Sequence, residues 1–249
     1  ELLTSDRFAF IDGGRQLQIY NLGSDDTGAT LTTTLRKIKP TSKVKRKNRV
    51  NSIVIDKSKY AGSGIGGTTL NDGLVYGNYA YGTRVQDKNI SLNVPDIIEI
   101  HGIFESADTT NPSAPRMVLS SLSGSTGTTS DLIIGEEILS ENGSTIGIVA
   151  EKLSSSQISF VYKNQNIFKE GETVTFRESN TQAVITTLDS QSFDISFNYT
   201  FTIGQRGTFY DYGSIVRKSN ADEPTRKIKI YFSSGFYDSS DDGDITTVN

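Results

Sequence analysis

The chain contains no cysteine and no tryptophan, one histidine, one methionine and only five prolines among 249 residues. Without cysteine there is no disulfide and no thiolate metal site, and the redox compartment is left undetermined. A lone histidine, His101, cannot by itself hold zinc, and no Cys-His pair exists. Nor is there a run approaching the ~20 apolar residues of a membrane-spanning helix, or a signal-peptide pattern at the start. The net charge of -4 argues neither for nor against nucleic acid. A sustained three-to-four-residue apolar period, the mark of amphipathic helices, is missing throughout. The missing initiator methionine, and an end at Asn249 just after a charged loop, lead us to expect a piece of a longer polypeptide.

What is abundant is glycine (23), tyrosine (11) and phenylalanine (12), a turn-rich composition suited to sheets. The clearest pattern covers residues 193–203, where Phe193, Ile195, Phe197, Tyr199, Phe201 and Ile203 alternate with polar residues. Successive strand side chains point to opposite faces, so this predicts one long strand with its apolar face in the core. Shorter strands are expected around residues 50–55, 97–104, 117–122, 157–162, 215–216 and 226–232. A hairpin is expected at Asp12-Gly13-Gly14, because such residues supply the positive φ of tight turns. A threonine-rich strand is expected over residues 30–35. The prediction is an all-β protein of several small antiparallel sandwich or barrel modules, with little or no helix.

Three regions are expected: residues 1–125, with a basic loop and a glycine-rich loop; residues 126–190, a small β module; and residues 191–249, C-terminal strands completing the fold of the first. The flexible stretch SGSTGTTS at residues 123–130 supplies the boundary. The middle region carries an internal repeat. Gly135-Glu136-Glu137-Ile138 with residues 147–149 matches Gly171-Glu172-Thr173-Val174 with residues 183–185, at an offset of 36.

The chemistry-bearing candidates mostly read as structure. Arg36, Lys37, Lys39, Lys43, Lys45, Arg46, Lys47 and Arg49 form a run without acids. A nucleic-acid arm is one reading, but the run lacks interleaved aromatics and lies between strands, which favours a solvated loop, a guarded edge strand or a dock for an acidic neighbour. The loop YAGSGIGG at residues 60–67 lacks the lysine and the following helix that phosphate loops need. Tyr76, Tyr79 and Tyr81 are candidate glycan contacts, since tyrosine offers a flat apolar ring with a hydroxyl, although half-buried strand tyrosines are commoner. Glu136, Glu137, Glu170 and Glu172 occupy corner positions of the repeat, where solvated turn acids are expected rather than a catalytic pair. Asp238, Ser240, Asp242, Gly243 and Asp244 suggest calcium by spacing, but flanking helices and a twelfth-position glutamate are lacking. No Gly-x-Ser-x-Gly elbow accompanies His101. The reading is therefore no catalytic residue, no metal and no cofactor.

One stretch carries a resemblance. Gly204, Gln205, Arg206, Tyr210, Asp211 and Gly213, followed by Pro224, Ile228 and Phe232, resemble a domain recurring in large tail and baseplate proteins of tailed bacteriophages, notably contractile-tailed phages of marine cyanobacteria. Residues 92–115 resemble the segment that often precedes it. The resemblance implies a non-enzymatic virion structural protein of tail, baseplate or fibre, with other virion proteins as partners, homo-oligomerisation, and no nucleic-acid or membrane partner. A receptor-binding or adhesin module for a host glycan is the alternative. Arg206 and Asp211 are expected to pair and fix the corner after residue 203.

Overall fold

The structure, a computed structural model, describes residues 3–22, 30, 32, 38–64, 69–206 and 209–244, with backbone alone at 205–206 and 209–210. It divides into a unit of residues 1–40 and a unit of residues 41–249. The first holds one antiparallel hairpin, β1 (Phe8–Ile11) and β2 (Gln16–Ile19). Its turn is the expected one, with Asp12, Gly13 and Gly14 all at positive φ. The threonine-rich strand expected over residues 30–35 lies outside the described residues apart from Thr30 and Thr32.

The second unit is all strand and turn. In chain order it has β3 (Lys45–Ile55), β4 (Lys57–Ser58), β5 (Val75–Tyr76), β6 (Asn89–Ser91), β7 (Ile97–Ser106), β8 (Arg116–Ser120), β9 (Glu137–Ser140), β10 (Ile146–Lys152), β11 (Gln157–Tyr162), β12 (Thr173–Phe176) and β13 (Thr181–Asp189). Then follow β14 (Ser192–Asp194), β15 (Tyr199–Thr202), β16 (Gln205–Arg206), β17 (Phe209–Tyr210), β18 (Ser214–Arg217) and β19 (Ile228–Tyr237). Helix occurs among the described residues only as three-residue 3-10 turns.

These strands make three layers. The middle layer is a sheet of order β14-β7-β19-β3, and a sheet of order β15-β18-β6 shares a core with one of its faces. Ile228, Ile230 and Phe232 of β19 point into that core with Ile90, Ile103 and Ile215. The intervening residues Lys229 and Tyr231 point the opposite way, as the two-residue period requires. There they meet the third layer, a closed barrel of order β10-β11-β8-β13-β12-β9. Tyr231 is fully buried with Phe104, Ile148, Ala150 and Val161, and its hydroxyl donates to Glu151 at 3.0 Å. Lys229 Nζ reaches the other oxygen of Glu151 at 2.7 Å. Apolar burial and a paired charge thus fix the barrel to the sheet.

The barrel is two interlocked copies of one three-strand unit. The offset of 36 noted in the sequence is exact in the backbone: Gly135 and Gly171 sit at φ +84 and +83, each donating to the partner strand at Val149 and Ile185. Bulges fall between Val149 and Glu151 and between Ile185 and Thr187, the same place in each copy. The pairing extends the repeat to β8 and β11, because Met117 faces Ile158 as Leu139 faces Thr175, two self-related contacts on one pseudo-twofold axis. Around the second of them, Ile138 pairs with Phe176 and Ser140 with Val174. The chain enters and leaves by adjacent strands, since Arg116 pairs with Asp189. Strand β8 lies before the 123–130 loop, so the barrel draws on residues from both sides of that stretch.

One strong expectation fails. Residues 193–203 are not a single strand buried on one face. Asp194 accepts from the N–H and hydroxyl of Ser196, a 3-10 turn covers Ser196–Asn198, and the Ser196 hydroxyl takes the N–H of Ile103. Such side-chain bonds give the backbone an alternative to the ladder. The chain therefore crosses from the edge of the middle sheet, as β14, to the edge of the outer one, as β15. Only Ile195 and Tyr199 enter the core, while Phe193, Phe197, Phe201 and Ile203 are exposed.

Candidate functional site

A cleft of about 630 Å³ lies where the middle sheet meets the barrel. Its sheet side is built by irregular pairing. Along β7 and β19, Tyr231 faces Gly102 while Phe232 faces Ile100, so His101 is an extra residue in a bulge. On the other side of β19 the register with β3 shifts between Phe232 and Ser234, near Arg49. Bulges re-aim side chains. Here one turns His101 across toward β3, where Nε2 lies 2.9 Å from the Arg49 carbonyl. A carbonyl only accepts, so Nε2 carries the proton and Nδ1 is the bare nitrogen.

Charged residues surround this imidazole. Arg49 meets Glu178 of the barrel at 2.6 Å, Lys163 of the barrel meets Glu99 of β7, and Arg177 meets Glu137 at 2.5 Å. The first two pairs cross from sheet to barrel; Lys47 lies at the rim. The guanidinium of Arg49 holds the Glu178 carboxyl below its usual range. Glu99 is lowered too, with burial opposing and the Lys163 contact prevailing. His101 is lowered, chiefly by burial, against the opposing pull of the Arg49 carbonyl and Glu99. Its side chain is 5% exposed, and Nδ1, 3.8 Å from Glu99, has no hydrogen-bond partner among the described residues. That nitrogen is closed to solvent, and burial favours the neutral form of the ring.

A pH dependence follows. A histidine whose folded value is depressed binds protons more readily when unfolded, so its contribution to stability is complete above the ordinary value of 6.5 and declines below it. The melting temperature should fall between pH 7 and the onset of carboxylate titration, and His101→Gln should flatten that fall. Thermal melts of both proteins across this interval check it. An equal slope in the variant would remove His101 as its source.

The other candidates fall in separate places. Glu136 is fully buried, contrary to the expected solvated turn: its carboxyl accepts from the N–H groups of Ile133, Glu178 and Ser179 and from the Ser179 hydroxyl. Glu170 accepts from the Leu188 N–H, Glu137 pairs with Arg177, and Glu172 leaves one buried oxygen unpartnered among the described residues. These corner acids are divided among separate backbone and side-chain contacts. Asp241 takes the N–H of Val44, and Asp244 takes the N–H and hydroxyl of Thr41, so the C-terminal acidic turn fastens the segment before β3. No group of three metal-ligating side chains occurs among the described residues.

The basic run continues onto β3, an edge strand, where Lys45 pairs with Asp96 and Arg46 with Asp238; Arg36 and Lys37 lie outside the described residues. Of the glycine-rich loop, residues 65–67 also lie outside them. Tyr76 and Tyr81 are well exposed, but Tyr79 is half-buried over Gly77 with Lys57 Nζ above its ring, so the three do not form one open platform. In the 204–213 corner, Gly204 has φ +87 and its carbonyl accepts from the Asp211 N–H at 2.9 Å. The Asp211 side chain accepts from the Tyr212 N–H. Its expected partner, the Arg206 side chain, lies outside the described residues, as do those of Gln205 and Tyr210; Gly213 is buried against Ile97. No helix among the described residues is long and apolar enough to cross a membrane.

The cleft around His101 escapes sequence reading because a bulge is a property of pairing; the lone histidine in an apolar strand is its only trace. Comparison with protein-family models, with curated proteins and with solved structures finds no match.

Proposed function

We propose that this chain is a structural component of a tailed-phage virion, of the tail, baseplate or an attached fibre, working by assembly and protein contact rather than catalysis. The observation that carries the reading is the placement of the residues bearing the phage-like resemblance. Gly204 and Asp211 close a tight corner, Gly213 packs against Ile97, and Pro224, Ile228 and Phe232 are buried. They support architecture and line no cleft together. The stapled barrel fits the same reading, since a load-transmitting protein needs modules that keep their places. Antibody raised against the chain should label the tail or baseplate of intact particles in immuno-electron microscopy. Label confined to unassembled lysate would overturn the assignment.

The exposure of Tyr76 (52%) and Tyr81 (64%) supports a second reading, a receptor-binding module for host glycan. A glycan array separates the two: the scaffold reading expects no hit, and a hit abolished by Tyr81→Ala would favour the second.

A further inference from the structure

A second cavity, of about 680 Å³, shares no lining residue with the His101 cleft. Its walls come from residues 60–62, 69–70, 72, 86 and 223–226, none of which lies in a strand. Tyr60, Leu70 and Pro224 supply apolar surface. The Tyr60 ring is held in place: its hydroxyl donates to Glu223 Oε2 at 2.6 Å, while Lys59 Nζ and Arg217 Nη2 occupy Oε1 at 2.9 and 3.2 Å. Gln86 is buried, accepting from the Lys59 N–H and donating to the Ser58 hydroxyl. Two lining groups keep spare capacity. Asp72 is 7% exposed, and its Oδ1 takes the N–H groups of Gly64 and Leu74 at 2.9 and 3.0 Å, but no hydrogen bond among the described residues reaches Oδ2. Unlike His101 Nδ1, that oxygen is not sealed from solvent. A buried carboxylate oxygen costs stability until something donates to it. Arg226 is the complement: its main-chain N–H is taken by Glu105, and its guanidinium makes no hydrogen bond or ion pair among the described residues.

We propose that this cavity binds a neutral saccharide of one or two rings, with Asp72 Oδ2 accepting from sugar hydroxyls, the Arg226 guanidinium donating to sugar oxygens, and Tyr60 and Leu70 lying against the C–H face. The inference rests on the glycan-binding reading above and gives it a different address, a pocket in place of the open Tyr76 and Tyr81. Small-ligand sites span roughly 300–1,000 Å³ and set a few convergent polar groups among apolar walls, which is the arrangement found here. The free groups select the ligand. One acceptor and one donor of opposite charge suit a molecule that is uncharged overall, carries donors and acceptors together and has an apolar face. A cationic ligand is disfavoured, because Lys59, Arg217 and Arg226 already outnumber Asp72 and Glu223 around the cavity. A peptide docking through its main chain needs a strand edge to extend, and none lines the walls. At the binding efficiency of small ligands, a single ring is expected to bind with a dissociation constant of about 1 mM.

Saturation-transfer NMR on the full chain tests this with glucose, galactose, mannose, N-acetylglucosamine, lactose and cellobiose at millimolar concentration. At least one of these sugars should give ring-proton signals. Asp72→Asn keeps the acceptor that serves Gly64 and Leu74 and turns the free oxygen into an amide donor, so it should weaken the binding at least about tenfold with the melting temperature unchanged. Arg226→Gln should weaken it too, and carries the test alone if Asp72→Asn proves unstable, since the guanidinium supports no other described residue. No signal from any of the six sugars, or a signal indifferent to both variants, would overturn the proposal. So would a response confined to lysine, to other free amino acids or to peptides. Binding lost in Tyr81→Ala but kept in both pocket variants would sustain the receptor-binding reading at its open tyrosines and sink this pocket, so the two fail separately.

Discussion

Replacing Glu136 by alanine should lower the melting temperature by about 6–12 °C, whereas the same change at the repeat-equivalent Glu172 should move it by no more than about 2 °C. Glu136 is fully buried and its two oxygens take three backbone N–H groups and a hydroxyl. Its removal strands those donors in the interior, and an unsatisfied buried polar group costs about 1–3 kcal/mol. Because the N–H groups of Glu178 and Ser179 lie on a turn that can partly rewet, about 3 kcal/mol is the central expectation, converted at 2–4 °C per kcal/mol for a domain of this size. Glu172 has no such work. The turn it would serve by pseudo-symmetry satisfies itself, with Asn142 taking the Ser144 N–H and Ser140 taking those of Gly143 and Thr145. Calorimetry on the two single variants decides the matter. Equal shifts would show that the asymmetry between the halves is not energetic.

Gly204→Ala should be nearly as damaging, with about 3 kcal/mol lost, while Gly171→Ala should lose about 1 kcal/mol. Both glycines occupy the left-handed region, at φ +87 and +83, where any Cβ is strained by about 1–2 kcal/mol. They differ in their surroundings. A Cβ on Gly171 would meet nothing within 4 Å, but on Gly204 it would overlap the Asp211 carbonyl oxygen and lie 2.7 Å from the Tyr212 carbonyl carbon. That neighbour is backbone and cannot step aside. The corner must open, breaking the bond from the Asp211 N–H to the Gly204 carbonyl. Urea titrations of both variants should separate their midpoints clearly. If Gly204→Ala were as mild as Gly171→Ala, the corner would not be closed in solution as described.

The sequence is legible where local chemistry decides. The apolar run at residues 97–104, the stretch at 157–162 and the alternating residues 228–232 became β7, β11 and β19, and Asp-Gly-Gly became a turn. The repeat was visible only at the offset of 36, because β8 and β11 stand 41 apart, as the facing of Met117 and Ile158 shows. The loop at residues 123–130 is spliced between β8 and β9 and shifts the first copy out of phase, which hides one strand in three from any fixed-period comparison. Alternation at residues 193–203 misled for another reason. It specifies faces but not continuity, and a strand that changes sheets at a Ser196 turn keeps its rhythm while losing its cover. Glu136 was misplaced because burial of an acid depends on donors from a turn 42 and 43 residues away in sequence, Glu178 and Ser179. The His101 cleft needed two registers at once.

The neighbouring positions of Arg116 and Asp189, where the barrel begins and ends, have an evolutionary consequence. A segment whose two ends emerge side by side can be swapped, trimmed or lost by recombination without re-routing the rest of the polypeptide. Chains built on this plan would then be free to carry different barrels, or none, on the same pair of sheets.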